Sequence, residues 1–170
     1  MQLRRRLGEL MSEMQELLAT MPQTGTVKWM CIRPTARQDV QSVDSIEIDE
    51  EQSIIGDHFS GKPGSKRQVT LIQQEHIAAV ANILGGEVLP EQLRRNIVVS
   101  GINLQALKDR RFKIGTAVLF GTGNCPPCSR MESNLGPGGY NAMRGHGGLT
   151  ARVIQPGIVN LGDEVSLETE

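Results

Sequence analysis

The residues best suited to chemistry are two cysteines, Cys125 and Cys128, in the run Gly123-Asn-Cys-Pro-Pro-Cys-Ser-Arg130. A thiolate is a soft, polarisable ligand for zinc, copper(I), iron–sulfur and molybdenum-like centres, and also a strong nucleophile. The chain has only one further cysteine, Cys31, and three histidines. Pro126 and Pro127 each fix a φ angle, so the two thiols flank a rigid turn. Structural zinc needs four ligands, normally from two such pairs, and here His146 is the only nearby addition. A redox Cys-x-x-Cys works when a helix start follows the motif, and Ser129-Arg-Met-Glu132 can begin one. Such motifs follow an early strand of a βαβ unit, whereas this one lies late in the chain. Two ordinary buried thiols are the remaining local reading.

Composition narrows the classes. A chain of 170 residues suits one domain with a real core. Its net charge of -1 provides no overall field for nucleic acid or a membrane surface, and one Trp, one Tyr and three Phe are too few for base-stacking platforms. No apolar run reaches the roughly 20 residues of a membrane span, and Met-Gln-Leu-Arg-Arg-Arg-Leu lacks the apolar stretch of a secretory signal. An odd cysteine count in that setting predicts free thiols in the cytoplasm. Nineteen glycines, clustered after residue 115, predict tight turns or close backbone approach.

The motif has to be positioned by elements on both sides. Leu3, Leu7, Leu10, Met14, Leu17 and Leu18 recur at spacings of three and four, which predicts a helix over 2–20 ended by Pro22 and Gly25. That helix either packs on the domain or pairs with a second copy. Strands are predicted at Val27–Ile32, Val43–Ile48, Gln68–Ile72, Asn96–Ser100 and Phe112–Phe120, the last with an internal glycine read as a bulge. A helix over Glu75–Leu84 is closed by Gly85-Gly86, and a shorter one starts near Pro90. Leu149–Ile154 and Glu164–Leu167, joined through Gln155-Pro-Gly157, read as a hairpin-like pair. Many short strands with few short helices predict a mainly β (α+β) domain, a barrel or sandwich decorated with helices. The expected organisation is an N-terminal amphipathic helix over 1–22 and a β domain over 25–168.

An ordered series of short motifs spans that β domain. Gly56-Asp-His58, Arg67-Gln-Val-Thr-Leu-Ile72, Arg94-Arg-Asn-Ile-Val-Val99 and Phe112-Lys-Ile-Gly115 precede Cys125-Pro-Pro-Cys128. Gly147-Gly-Leu-Thr-Ala-Arg-Val153, Pro156-Gly-Ile158 and Gly162-Asp-Glu-Val165 follow it. The series resembles the MOSC family, found at the C-terminus of molybdenum-cofactor sulfurases and in stand-alone bacterial proteins. The resemblance implies a small, irregular β-barrel with short helices. It also implies binding of the molybdenum cofactor (molybdopterin), or sulfur carriage on a cysteine, with a sulfur donor or acceptor protein as partner. Cys128 matches the family cysteine and is the expected catalytic residue and metal ligand. Arg94 or Arg95, with Asn96, resembles the family's cofactor-contacting Arg-x-Asn element; Arg67, Thr70 and His58 fall where relatives supply further pocket groups.

Elementary chemistry agrees with that assignment. A pterin dithiolene carrying a phosphate calls for guanidinium forks and hydrogen-bond donors. Strand parity points one of Arg94 and Arg95 inward, and the resemblance implies Arg95, which sits directly before Asn96 where the family arginine lies. Asp57 is read either as orienting His58 or as capping the turn with His58 on the barrel rim, and His146 either as facing the cysteines across a glycine-rich loop or as a solvated loop residue. A cysteine-desulfurase half with its pyridoxal phosphate has no room in 170 residues, so that cofactor is not expected on this chain. The alternatives that stay open are a Cys125–Cys128 thiol–disulfide switch and a non-catalytic partner-binding module, with a homodimer through the first helix.

Overall fold

The structure is a computed structural model that describes residues 2–59 and 61–169. A helix, α1 (Gln2–Ala19), precedes β1 (Gly25–Ile32), β2 (Gln41–Ser42), β3 (Ser45–Asp49), β4 (Ser53–Ile54) and β5 (Val69–Gln73). Next come α2 (Gln74–Leu84), α3 (Pro90–Leu93), β6 (Ile97–Ser100), a 3-10 turn at Leu104–Leu107, β7 (Arg111–Ile114) and β8 (Ala117–Asn124). The chain finishes with α4 (Ser129–Leu135), α5 (Gly139–Met143), β9 (Leu149–Gln155), β10 (Gly157–Asn160) and β11 (Glu164–Leu167).

Seven strands close into a mixed barrel in the order β1-β6-β5-β9-β8-β7-β11, and β11 returns to pair with β1. β2 extends the barrel from β1, while β10, β3 and β4 form a separate three-stranded sheet. The expected barrel with short helices and a leading helix is therefore present. Closure leaves few sheet edges open, which suits a small β domain.

The pair β5 and β6 is parallel, with Leu71, Ile72 and Gln73 aligned to Ile97, Val98 and Val99. Parallel neighbours need a crossover, and α2 and α3 supply it. α2 ends where Gly85 turns left-handed (φ 70), letting Gly86 N–H reach the Ala81 carbonyl at 3.1 Å, as the Gly85-Gly86 pair predicts. Burial on both faces of the pair follows from the period of two. Leu71, Ile97 and Val99 enter the barrel core, whereas Ile72 and Val98 face a second cluster with Ile77, Val80, Leu93, Met131 and Met143. That outer layer holds α4, and hence Cys128, against the barrel wall.

Two pairings differ from expectation. Phe112–Phe120 is a hairpin, β7 and β8, turning at Gly115 (φ 55) and Thr116, rather than one bulged strand. A Cβ at Gly115 would meet the Ile158 carbonyl at 2.4 Å, so the glycine answers a close approach as well as a turn. The last strands make no hairpin with each other. β9 lies between β8 and β5, β10 turns into the small sheet against β3, and β11 joins β7 and β1. Pro156 interrupts pairing at that point, so each segment leaves for a different sheet neighbour.

Candidate functional site

A cleft of about 550 Å³ opens beside the first residues of β5 and β6. Its walls are the loop after β1 (Arg33–Arg37), the loop after β4, the entries to β5 and β6, and the start of α4. All six residues singled out from the sequence line it: Cys128, Arg95, Asn96, Arg67, Thr70 and His58. Arg33, Arg37, Arg94 and Arg130 line it too, which brings six guanidinium groups against one carboxylate, Asp57. In a chain of net charge -1, that concentration marks an anion site.

Arg95 is 7% exposed, and two of its nitrogens are committed. Nε donates to the Gly147 carbonyl at 2.8 Å and Nη1 to the Leu93 carbonyl at 2.9 Å. Nη2 is buried without a partner. Burial pulls the Arg95 pKa below its usual range, with Cys125 opposing the shift and Arg67 adding to it. Asn96 is held in a similar way. Its Oδ1 accepts from Thr70 N–H at 3.0 Å and Thr70 Oγ1 at 2.8 Å, while Nδ2 has no partner. Two donors thus belong to side chains fixed by their other bonds and are themselves buried without a partner, a pattern rare among buried polar groups.

Arg94 lines the cleft as well, so strand parity does not separate the pair. Both arginines precede β6, and Arg94 is the left-handed residue (φ 58) that ends α3. It donates to the Gln38 carbonyl at 3.4 Å, its Nε is unpartnered, and burial followed by the charges of Arg33 and Arg130 lowers its pKa. Asp57 does not orient His58 through a side-chain bond. Its Oδ1 accepts from Arg33 N–H at 2.6 Å and lies 3.6 Å from Arg33 Nε, while His58 N–H donates to the Arg33 carbonyl at 2.5 Å. The pair therefore locks the loop after β1 against the loop after β4, which brings Arg33 to the cleft. His146 points elsewhere: its ring meets His76 edge-on at 5.2 Å, and Nδ1 lies 3.1 Å from the Ala142 carbonyl. Arg33 and Arg37 were missed because they lie in a loop without periodicity; two arginines around Pro34 just after a strand were the available signal.

The three cysteines are free thiols in different surroundings. Cys125 is 1% exposed, and Arg67 Nη2 donates to its Sγ at 3.4 Å. Its backbone N–H is bonded to the Gly148 carbonyl at 2.9 Å. Cys31 is fully buried, donates to the Arg95 carbonyl at 3.2 Å, and burial pushes its pKa up to about 12. Cys128 is exposed at the cleft, in extended conformation immediately before α4. Alkylation with iodoacetamide in the native state is therefore expected to label Cys128 first. Labelling of Cys125 should wait on opening of the loop above it, and Cys31 should react only on unfolding. Site-resolved mass spectrometry over time reads the order; a Cys125 rate equal to that of Cys128 would contradict it.

Among the described residues no three His, Cys, Asp or Glu side chains gather into a group able to hold a metal ion. No helix among them is long and apolar enough to cross a membrane. The cleft thus combines a single exposed thiol, six arginines and two buried donors without partners. Such a set suits an anionic organic ligand whose metal, if any, arrives already chelated.

Comparison with known proteins agrees with that architecture. The MOSC domain model matches residues 56–166, well over half of the chain. The chain belongs to the MOSC domain family, which is linked to binding of the molybdenum cofactor. Among solved structures it is similar to the YuaD protein of Bacillus subtilis, with a TM-score of 0.75 and 24% identity over 89% of this chain and 100% of that one. It is also similar to YiiM of Geobacillus stearothermophilus, with a TM-score of 0.69 and 15% identity over 85% of this chain and 75% of that one. YiiM of Escherichia coli gives a TM-score of 0.65 and 19% identity over 85% and 70%. At these identities the likeness establishes the fold. No curated protein matches the chain.

Proposed function

We propose that the arginine-lined cleft binds the molybdenum cofactor, and that Cys128 at its rim either ligates the metal or carries a sulfur atom to it. One observation carries this reading: an exposed thiol shares a cleft with six guanidiniums and with two buried donors, Arg95 Nη2 and Asn96 Nδ2, that lack partners. A phosphate takes up guanidinium forks, and a pterin edge offers acceptors to an amide such as Asn96 Nδ2. The dithiolene supplies most of the metal's ligands, so one thiolate suffices from the protein, in keeping with the absence of a ligand cluster among the described residues. When bound, the cofactor supplies the metal centre for redox or sulfur chemistry. This chain's own residues bind its charge, orient its ring and present one thiol. A protein that donates or accepts sulfur is the natural partner for an exposed Cys128, and a cytoplasmic setting keeps that thiol reduced.

The test is purification from a host that makes the cofactor, with molybdenum measured by mass spectrometry and pterin by fluorescence after oxidation. Wild type should carry both. Cys128→Ala should keep pterin, held by the arginines, and lose most of the metal or the transferable sulfur. Near-zero occupancy in both proteins would overturn the reading.

A further inference from the structure

We propose that α1 is the interface of an antiparallel homodimer. The proposal concerns the helix alone and stands or falls independently of the cleft. Among the described residues nothing covers the apolar seam of α1: Leu10 is 61% exposed, Met14 56% and Leu17 69%. Its ties to the barrel lie at its end, where Arg110 donates to the Leu18 carbonyl and Met21, just beyond, packs against the barrel core. An 18-residue helix containing Gly8 is marginal by itself in water, and its order must come from packing the apolar stripe.

The pattern of that stripe specifies the occupant. Leu3, Leu7, Leu10, Met14 and Leu17 alternate spacings of four and three, as in the seam of a two-stranded coiled coil, and the exposed Met11 and Leu18 widen that seam along one side. Charge then fixes the direction. Arg4, Arg5 and Arg6 occupy the beginning of the helix, Glu13 and Glu16 its second half, and there is no acidic residue in the first turn or basic residue in the last. This order opposes the helix macrodipole and weakens an isolated helix. An antiparallel second copy corrects it, because the acidic half of each helix lies beside the arginines of the other. In the antiparallel pair Arg6 of one copy meets Glu13 of the other, twice by symmetry. A parallel pair would set arginine beside arginine.

The test is sedimentation equilibrium of the full chain up to about 0.1 mM, a range that captures weak dimers. The wild type should sediment as a dimer of 18.6 kDa subunits. Leu10→Glu should be monomeric with an unchanged barrel melting temperature. Arg6→Glu should weaken the dimer about fivefold through two lost pairs and the repulsion that replaces them. Arg6→Glu combined with Glu13→Arg should restore it, because residues seven apart do not pair within one helix. A monomeric wild type at 0.1 mM, or a dimer indifferent to Leu10→Glu, would overturn the interface; failure of the double variant to recover would overturn the antiparallel arrangement.

Discussion

Arg95→Lys is expected to weaken binding of the anionic cofactor by about tenfold to a hundredfold while leaving the barrel folded. Arg95 holds its place with Nε and Nη1, on the carbonyls of Gly147 and Leu93, and its Nη2 is buried without a partner beside the cleft that the residue lines. A single ammonium cannot satisfy two diverging carbonyls and a ligand at once. Losing one charge-assisted hydrogen bond in a partly desolvated site costs about 1.5–3 kcal/mol, which is the stated change in affinity. Arg95→Ala should behave differently, because both carbonyls then lose their donor; a stability loss of about 2–3 kcal/mol is expected alongside the loss of binding. Chemical denaturation combined with a binding titration separates the two effects. Equal affinities for wild type and Arg95→Lys would remove Arg95 from the site.

Gly147→Ala is expected to destabilise the protein by about 3 kcal/mol and to impair the cleft in the same step. A Cβ at Gly147 would lie 1.9 Å from the Cys125 carbonyl oxygen and 3.4 Å from Arg95 Nη2. Backbone cannot swing aside as a side chain does, so the loop 145–148 or the strand end at Cys125 must move. Either displacement disturbs the Gly147 carbonyl that holds Arg95 Nε. Gly145→Ala is the matched control for the same loop. Its φ of +79 imposes left-handed strain, but a Cβ there meets nothing within 4 Å, so it should cost about 1 kcal/mol and spare binding. Thermal melts of the two variants, with pterin occupancy, give the comparison. A Gly147→Ala protein as stable as wild type would show that the close approach is not maintained in solution.

Much of this was legible in the chain because the signals are local. Alternation within Val43–Ile48, the glycine pair after Leu84 and the proline at residue 90 each fix a few neighbouring dihedrals, and β3, the end of α2 and α3 lie close to where they indicate. Sheet partners are not local. Nothing within Leu149–Leu167 states that β9 pairs with β8 and β5 while β11 closes the barrel onto β1, so proximity in sequence suggested a hairpin that does not form. The site shows the same division. Cys128, Arg95 and Asn96 stand in recognisable runs, and the fold brings them to the lining of one cleft. Arg33 and Arg37 gain meaning only because Asp57 and His58 bind the backbone of Arg33 across 24 and 25 residues of sequence. The role of Gly147 was legible only as composition. The glycine-rich tail pointed to a close approach, and the structure identifies its object as the Cys125 carbonyl.

The central claim is that the cleft recognises an anionic pterin cofactor through its arginines. Anaerobic titration of the purified chain with cofactor released from a donor protein tests it most directly, followed by pterin fluorescence at two salt concentrations and in the presence of pyrophosphate. The account predicts saturable, one-to-one binding that weakens as salt rises, is displaced by pyrophosphate, and falls at least tenfold in Arg95→Lys. Binding that fails to saturate, or that is indifferent to salt and to Arg95→Lys alike, would contradict it.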